Sequence, residues 1–398
     1  MLNYEEQVAN LVRSDGITFQ DSFISLAPYA LRSVLELSKA LINTPISHQA
    51  LIGQVKDISK NLFFQASEHV KAHPHAPDDR PLYWARLKLQ MMIKACPNKI
   101  LSDQLKSRLM QVVEENSRNY VGINFDQLPL GCIKVLITGF DTFLLNSRDY
   151  PGKHNIRQSN PSGNVALSLH HTFSPERQGF IQSILFPVRY SDFDGSSDPS
   201  RGMGEGIIEQ YLGPWLNEVD LLITISQGHP DAYSIDSFAT RTRGGMIDNN
   251  GFRRIPGSPC VIDGPSWIPT TLPKAMLQSP IGLCDSYQSY PDQSPKIGLP
   301  STFKEEVFSG PGGNYLSNEI YYRVARLREK WCEKHKYNNG VKPVKHTGHF
   351  HIPKIQSPEV STFNDFPGQD LDYVAASNVI EVVRQAIYRG IQELSRVL

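Results

Sequence analysis

The chain has 398 residues, enough for two or three domains, and its 40 Lys and Arg residues balance its 40 Asp and Glu residues. This neutral balance argues against nucleic acid or an anionic membrane as a partner. The opening segment "MLNYEEQVANLVRSDG" does not resemble a secretory signal, and apolar runs such as "VDLLITI" are too short to span a bilayer. Five scattered cysteines without a CxxC pair favour reduced thiols, so we expect a cytoplasmic protein.

The first part of the chain, up to about residue 125, predicts a small helical bundle. Apolar residues recur every three or four positions in "FISLAPYALRSVLELSKALI", "PLYWARLKLQMMIKAC" and "SDQLKSRLMQVVEENS". Ser102 stands where the N-cap of the last of these helices is expected. We predict an all-α N-terminal domain over residues 1–125, followed by the linker "NYVGINFDQLPLG".

Residues 132–398 predict a second domain of the α/β class. Short apolar runs typical of buried strands alternate with helical patterns, which favours a three-layer α/β/α open sheet. Residues 253–300 are rich in Pro, Ser and Gly and predict a loop-rich insertion. The predicted strands are "CIKVLITGF", "GFIQSILFPVRY", "VDLLITISQG", "EEVFSG" and "GHFHIPKI"; the predicted helices are "NVALSLHHTF", "GIIEQYLGPWLNEV", "YLSNEIYYRVARLREKW" and "LDYVAASNVIEVVRQAIYRGIQEL".

Ser317 follows the glycine-rich turn "SGPGG" near the predicted start of a helix. The helix has one apolar face, formed by Leu316, Ile320, Val324, Leu327 and Trp331. At a helix start, unpaired N–H groups favour negative charge, so a serine there could act as a nucleophile with an oxyanion site beside it. A serine at this position could also be an ordinary helix cap, and the pattern alone favours that interpretation.

Two further segments carry groups that could assist a nucleophile. As a strand, "GHFHIP" places His349 and His351 on one face, and either could be catalytic or structural. "ISQGHPDAYSIDSFATRTRGG" contains Asp236, which could be a surface aspartate or the carboxylate that orients a histidine; His229 and Asp231 are alternatives. The run "VLITGFDTF" could line a pocket with aromatic rings.

A metal site at the histidines of "HTGHFHIPKI" is a weaker hypothesis. His346, His349 and His351 are ligand types for transition metals, but no carboxylate or cysteine follows at metal-site spacing. The chain also lacks GxGxxG and GxxxxGK[ST] patterns. We therefore predict no metal and no cofactor.

Taken together, these motifs resemble those of the pyroglutamyl peptidase I (pyrrolidone-carboxylate peptidase) family. "KVLITGFDTF", "NPSGNVAL", "YSIDSFATR", "TTLP", "GGNYLSN" and "GHFHIP" are similar to six segments of that family and occur in the same order. The resemblance covers about residues 132–398. It implies a phosphorylase/hydrolase-like α/β/α fold and an enzyme that cleaves an N-terminal lactam-capped amide bond.

The resemblance also implies roles for individual residues. The family's nucleophilic cysteine falls on Ser317, its histidine base on His351 and its orienting glutamate on Asp236. Both replacements keep the chemistry of a nucleophilic triad. The family's substrate-supporting arginine falls on Met246, with Arg241 and Arg243 close by in sequence. The implied substrate-binding residues are Phe140, Phe143, Asn160 and Gly313.

Two functions follow as hypotheses. The first is a hydrolase that cleaves a pyroglutamyl-type or related acyl amide with Ser317, His351 and Asp236. The second is an inactive or retooled relative that binds a peptide or small amide ligand, with the helical domain as its partner-binding module. A peptide or small amide is the expected partner in both cases, and self-association is left open.

Overall fold

The computed structural model describes residues 3–13, 15–42, 47–145, 156–196, 203–229, 232–279, 281–290, 293–335, 345–355 and 372–396. These residues form a helical bundle followed by an α/β unit built on a mixed sheet with helices on both faces. The predicted fold class is therefore correct. None of the described helices is long and apolar enough to cross a membrane.

The helices of the bundle begin where the sequence supplies caps. Ser102 accepts a hydrogen bond from the backbone N–H of Leu105, which confirms the predicted N-cap. The segment "FISLAPYALRSVLELSKALI" is helical as predicted, but it is divided between two helices, because one ends at Ser25 and Pro28 starts the next. The bundle helices are α1 (Tyr4–Ala9), α2 (Phe19–Ser25), α3 (Pro28–Ile42), α4 (His48–Ala72), α5 (Arg80–Ala95) and α6 (Asp103–Ser117).

The described strands of the α/β unit are short and mostly buried. They are β1 (Ile133–Phe140), β2 (Thr172–Phe173), β3 (Gly179–Phe186), β4 (Leu221–Gln227), β5 (Ser234–Asp236), β6 (Phe238–Thr240), β7 (Thr242–Arg243), β8 (Ser258–Pro259), β9 (Trp267–Pro269), β10 (Gly282–Cys284), β11 (Ser286–Ser289), β12 (Pro295–Ile297), β13 (Val307–Ser309) and β14 (His346–Ile352). The helices are α7 (Pro161–Leu169), α8 (Tyr190–Phe193), α9 (Ile207–Leu212), α10 (Lys274–Leu277), α11 (Leu316–His335) and α12 (Tyr373–Ser395).

The main sheet has the strand order β10-β5-β14-β4-β1-β3-β2. Its centre is parallel, with β4 between β1 and β14, whereas β5 runs antiparallel to β14. Helices α7, α10 and α12 share one apolar cluster with the sheet, and α8, α9 and α11 share another. The carboxyl ends of β1, β4 and β14 therefore meet at one edge, where open α/β sheets place their sites.

Two predicted features differ in detail. The run "EEVFSG" forms β13, but β13 lies in a separate antiparallel sheet with β11 and β12 and not in the main sheet. The predicted insertion at 253–300 contains short strands, and one of them, β10, adds an edge to the main sheet. Short polar segments of this kind form strands only through their partners, so local sequence does not reveal them.

The hydrophobic core of the bundle extends into the α/β unit. The cluster that holds the bundle together continues into Leu145, Ile156 and Leu185, and into Ala166 and Leu167 of α7. The Oγ of Ser67 on α4 donates to the carbonyl of Leu167 at 2.9 Å. The bundle thus packs directly on the elements around β1. The division into two domains, at residues 1–125 and 132–398, stays a prediction.

Candidate active site

The turn before α11 places Ser317 in the first turn of that helix. Gly310 and Gly313 pair with each other, and Gly313 has φ +76°, a conformation that favours glycine. Helix α11 begins at Leu316, so Ser317 is its second residue. The Oγ of Ser317 donates to the carbonyl of Gly312 at 3.5 Å, which is not the bond of a capping serine. The side chain is therefore not committed to a helix cap.

His351 and Asp236 form a buried pair on neighbouring strands. The Nδ1 of His351 lies 3.1 Å from Oδ1 of Asp236, because β14 and β5 run side by side in antiparallel register. Asp236 is 1% exposed, and its Oδ2 has no hydrogen-bond partner among the described residues. With Nδ1 facing the carboxylate, Nε2 of His351 is the nitrogen left for another group.

Gly312 connects this pair to Ser317. A Cβ atom at Gly312 would lie 2.4 Å from Oδ2 of Asp236 and 2.8 Å from Cε1 of His351, so its backbone packs against both side chains. The Ser317 hydroxyl contacts the carbonyl of the same glycine. Within the described structure Ser317 makes no hydrogen bond to His351, so attack would require the hydroxyl to turn from Gly312 toward the imidazole.

A small cavity opens beside Ser317 at the carboxyl end of the sheet. The structure brings four of the predicted site residues to it: Phe140, Phe143, Asn160 and Ser317. Gly313 and His351 are not among its lining residues. The remaining lining residues are Val188, Ser226, Gln227, Tyr315 and Leu316. The lining is thus largely apolar, with a few polar groups close to Ser317.

The aromatic residues and Asn160 are held in place by their neighbours. Phe140 stacks on Phe193 with 6.3 Å between ring centroids, and Phe143 lies 6.2 Å from the ring of Tyr315. Asn160 caps α7 by accepting from the backbone N–H of Ser162, and its amide donates to the carbonyl of Asp141 at 2.7 Å. Asn160 therefore shapes the cavity wall through its own hydrogen bonds.

His349 lies next to His351, with 4.5 Å between ring centroids. Ligand atoms of Asp236, His349 and His351 lie within 4.8 Å of one another, so these three residues could hold a metal ion. However, Thr224 and Ser226 each lie 2.7 Å from a ring nitrogen of His349, and Nδ1 of His351 faces Asp236. A metal would have to displace these hydrogen bonds. His346, the third predicted ligand, is not part of the group, and its Nδ1 contacts the carbonyl of Thr271.

The structure describes one of the two alternatives to Asp236. His229 is exposed, and Asp231 lies outside the described residues. Arg243, one of the two arginines close to Met246 in sequence, is buried in ion pairs with Asp194 and Glu319 behind α11. Neither it nor Met246 lines the cavity.

Sequence reasoning missed three groups at this edge of the sheet. Ser226 and Gln227 line the cavity because they end β4, and their place after the apolar run "LLITI" was a usable signal. Asp79 of the bundle was also missed. Its carboxylate accepts from the Ser159 hydroxyl and, at 3.1 Å, from the backbone N–H of Asn160. Burial and the neighbouring Asp78 raise the pKa of Asp79 to about 7.

Comparison with known proteins matches part of the chain. Residues 134–287 match the family described as "PA0049, C-terminal domain". The uncharacterized protein PA0049 of Pseudomonas aeruginosa is 31% identical over 186 residues, which cover 44% of this chain and 32% of that protein. The chain thus spans about a third of the length of this curated relative. The family match over residues 134–287 includes nearly all of β1, all of β4 and Asp236.

Two solved structures are similar in fold. Pyrrolidone carboxyl peptidase from Pyrococcus furiosus has a TM-score of 0.40 and 21% identity, covering 66% of this chain and 100% of that one. The pyrrolidone carboxyl peptidase of Thermococcus litoralis has a TM-score of 0.40 and 17% identity, covering 67% of this chain and 96% of that one. The likeness to these two structures concerns the fold alone.

Proposed function

We propose that the protein is a hydrolase that cleaves an acyl amide bond by nucleophilic catalysis. Ser317 is the nucleophile, His351 its general base and Asp236 the group that orients the histidine. The observation that carries this proposal is the 3.1 Å contact between His351 Nδ1 and Asp236 Oδ1 next to the helix start that bears Ser317. A buried carboxylate behind a histidine fixes its tautomer and stabilises the imidazolium that forms during attack.

The reaction follows from these positions. The Ser317 hydroxyl attacks the substrate carbonyl and gives its proton to Nε2 of His351, while Asp236 stabilises the resulting charge. The oxyanion of the tetrahedral intermediate lies near the N–H groups that open α11, where the helix dipole favours negative charge. The amine leaves with the proton from His351. Water then attacks the acyl-enzyme ester, with His351 as base again, and restores Ser317.

The acyl group lies in the cavity beside Ser317. Phe140 and Phe143 supply flat apolar surface, and Asn160 a polar edge. This lining suits a small planar acyl group such as the lactam of a pyroglutamyl residue. The mechanism needs no cofactor, and its substrate is a peptide or small amide.

We further propose a cytoplasmic location, which suits the five cysteines because all of them are free thiols.

The test is an amide-hydrolysis assay with a fluorogenic pyroglutamyl amide and a panel of other acyl amides. Wild type is expected to release the fluorophore, and Ser317→Ala to lose activity by a factor on the order of a thousand or more. Ser286→Ala, which changes an exposed serine of β11, is the matched control and should keep wild-type activity. Activity that survives Ser317→Ala would contradict the mechanism.

A second function is favoured by one specific observation. Ser317 rests against Gly312 and has no hydrogen bond to His351 in the described structure, as in a site that binds an amide ligand without cleaving it. In this alternative the helical bundle contacts a further partner. Ser317→Cys separates the two: activity that appears only in this variant shows a disabled site, whereas activity in wild type supports the hydrolase. Metal analysis of the purified protein tests the remaining metal-dependent alternative.

A further inference from the structure

Ser226 is a second serine that lines the cavity, and its hydroxyl is hydrogen-bonded to His349. It is the penultimate residue of β4 and lines the cavity with Ser317. Its Oγ lies 2.7 Å from Nε2 of His349, whose Nδ1 lies 2.7 Å from Oγ1 of Thr224. The parallel register places Thr224 beside His349 and Ser226 beside His351. Ser226 therefore stands next to the catalytic histidine while bonded to its neighbour.

The hydrogen bonds around His349 assign its protons. His349 is fully buried, and burial together with the nearby His351 lowers its pKa well below the ordinary value, so the ring is neutral and carries one N–H. Thr224 Oγ1 also lies 3.2 Å from the carbonyl of Gly348, which can only accept. Thr224 gives its single proton to that carbonyl and accepts from Nδ1–H of His349. Nε2 is then an acceptor, and Ser226 donates to it.

This arrangement gives every proton an acceptor within the chain. In the opposite tautomer Nε2–H would donate to Ser226, whose own proton would have no acceptor among the described residues. The first arrangement is preferred, because it leaves no hydroxyl or ring proton without an acceptor within the chain. The consequence for the cavity is simple: Ser226 uses its proton on His349 and faces the cavity with lone pairs only.

Two other side-chain oxygens of the cavity already accept hydrogen bonds within the chain. The Oδ1 of Asn160 accepts from Ser162, and Oε1 of Gln227 accepts from Gln158 at 3.4 Å. Ser226 is also unsuited to be a nucleophile itself. Attack by Ser226 would place a positive charge on His349. His349 is buried, and its hydrogen-bond partners are the hydroxyl groups of Thr224 and Ser226. The Asp236 carboxylate, which could stabilise such a charge, is bonded to His351 instead.

We propose that Ser226, oriented by His349, binds the substrate by accepting a hydrogen bond from an N–H of its acyl group. Ser226 thereby selects acyl groups that carry this N–H over isosteres with CH2 or N–CH3 at the same place. This inference rests on the proposed function, because it assigns the acyl group to the cavity beside Ser317. His349 is a positioning residue that acts through Ser226.

The test compares two substrates with the same fluorogenic leaving group: the pyroglutamyl amide, and its cyclopentanone analogue, in which CH2 replaces the ring N–H. Wild type is expected to prefer the N–H substrate in kcat/KM by about tenfold to a hundredfold, the cost of leaving a buried acceptor unpaired. Ser226→Ala should remove most of this preference through loss on the N–H substrate alone. His349→Ala should have a similar effect.

Ser183→Ala is the matched control. The Ser183 hydroxyl on β3 is also buried and donates one hydrogen bond, to the carbonyl of Ala166 at 2.7 Å, but Ser183 does not line the cavity. It should leave the preference unchanged. A Ser226→Ala protein that loses activity on both substrates equally, or that keeps the wild-type preference, overturns the assignment of Ser226 while leaving Ser317 as nucleophile.

Calorimetry separates this inference from the proposed hydrolysis. If wild type cleaves neither substrate, the proposed hydrolase activity fails, and binding of the two uncleaved amides to Ser317→Ala becomes the test of Ser226. Ser317→Ala should bind the N–H amide about tenfold to a hundredfold more tightly than the cyclopentanone amide, and the double variant Ser317→Ala/Ser226→Ala should bind them equally. Binding of neither amide, or an equal preference in both proteins, overturns the inference.

Discussion

Arg86 of the helical bundle and Asp141 at the end of β1 form a buried ion pair, with 2.7 Å between Nη1 and Oδ1. Arg118 approaches the same carboxylate, with 2.6 Å between its Nη1 and Oδ2 of Asp141. All three side chains are at most 3% exposed. Since Asp141 directly follows Phe140, the bundle is attached to the turn that carries the aromatic wall of the cavity.

Asp141→Asn is expected to destabilise the protein by about 3–5 kcal/mol, because two buried guanidinium groups lose their shared counter-charge. Urea unfolding followed by circular dichroism measures the change. Glu218→Gln is the control. Glu218 forms an ion pair at 3.5 Å with Lys134 of β1, and both side chains are partly exposed. This change should cost less than about 1 kcal/mol. Equal costs for the two variants would contradict the importance of the buried pair.

Asp79 gives the protein a pH-dependent stability near neutrality. Burial and the adjacent Asp78 raise the pKa of Asp79 from its ordinary 3.8 to about 7. The folded protein therefore holds this proton more tightly than the unfolded chain. The stabilisation is complete below pH of about 4 and is lost as the pH rises through about 7, a total of about 4 kcal/mol for this group.

The measurement is the free energy of unfolding at several pH values between 5 and 8, in wild type and in Asp79→Asn. The variant should lack this downward slope, because an amide does not titrate. Asp103→Asn, at an exposed carboxylate of α6, is the control and should keep the wild-type slope. If the slopes of wild type and Asp79→Asn coincide, Asp79 does not titrate in this range.

Gly312→Ala is expected to disturb the catalytic pair without unfolding the protein. The added Cβ would lie 2.4 Å from Oδ2 of Asp236 and 2.8 Å from Cε1 of His351, so the contact between these two side chains must shift. A misplaced base should lower kcat at least tenfold to a hundredfold in the amide assay. Gly282→Ala on β10 meets no atom within 4 Å and should retain full activity. Wild-type kcat in Gly312→Ala would contradict the placement of the pair.

Gly53→Ala should stabilise the protein by about 0.5–1 kcal/mol. Gly53 lies inside α4, where glycine loses more conformational freedom on folding than alanine does, and an added Cβ there meets no atom within 4 Å. Thermal unfolding should show a raised Tm with unchanged activity. A lowered Tm would mean that the helix interior at Gly53 is more crowded than the structure shows.

The local features of the sequence predicted much of the fold. The apolar runs "VLIT" of β1 and "LLITI" of β4 are rich in β-branched residues, as is typical of buried strands. The face of α11 from Leu316 to Trp331 follows helical periodicity. The alternation in "GHFHIP" placed His349 and His351 on one face, because side chains of a strand alternate. These are properties of short segments, which the sequence by itself determines.

Apart from the pair of His351 and Asp236, which the family resemblance implied, only the tertiary structure decided which distant residues meet. His351 contacts Asp236 across 115 positions of the chain, and Arg86 contacts Asp141 across 55. Ser226 and His349, 123 positions apart, were joined by the register of β4 and β14, which no single segment specifies. The sequence therefore determined the elements and the residue types at their ends, whereas packing of the sheet and the bundle decided which of those residues share a cavity.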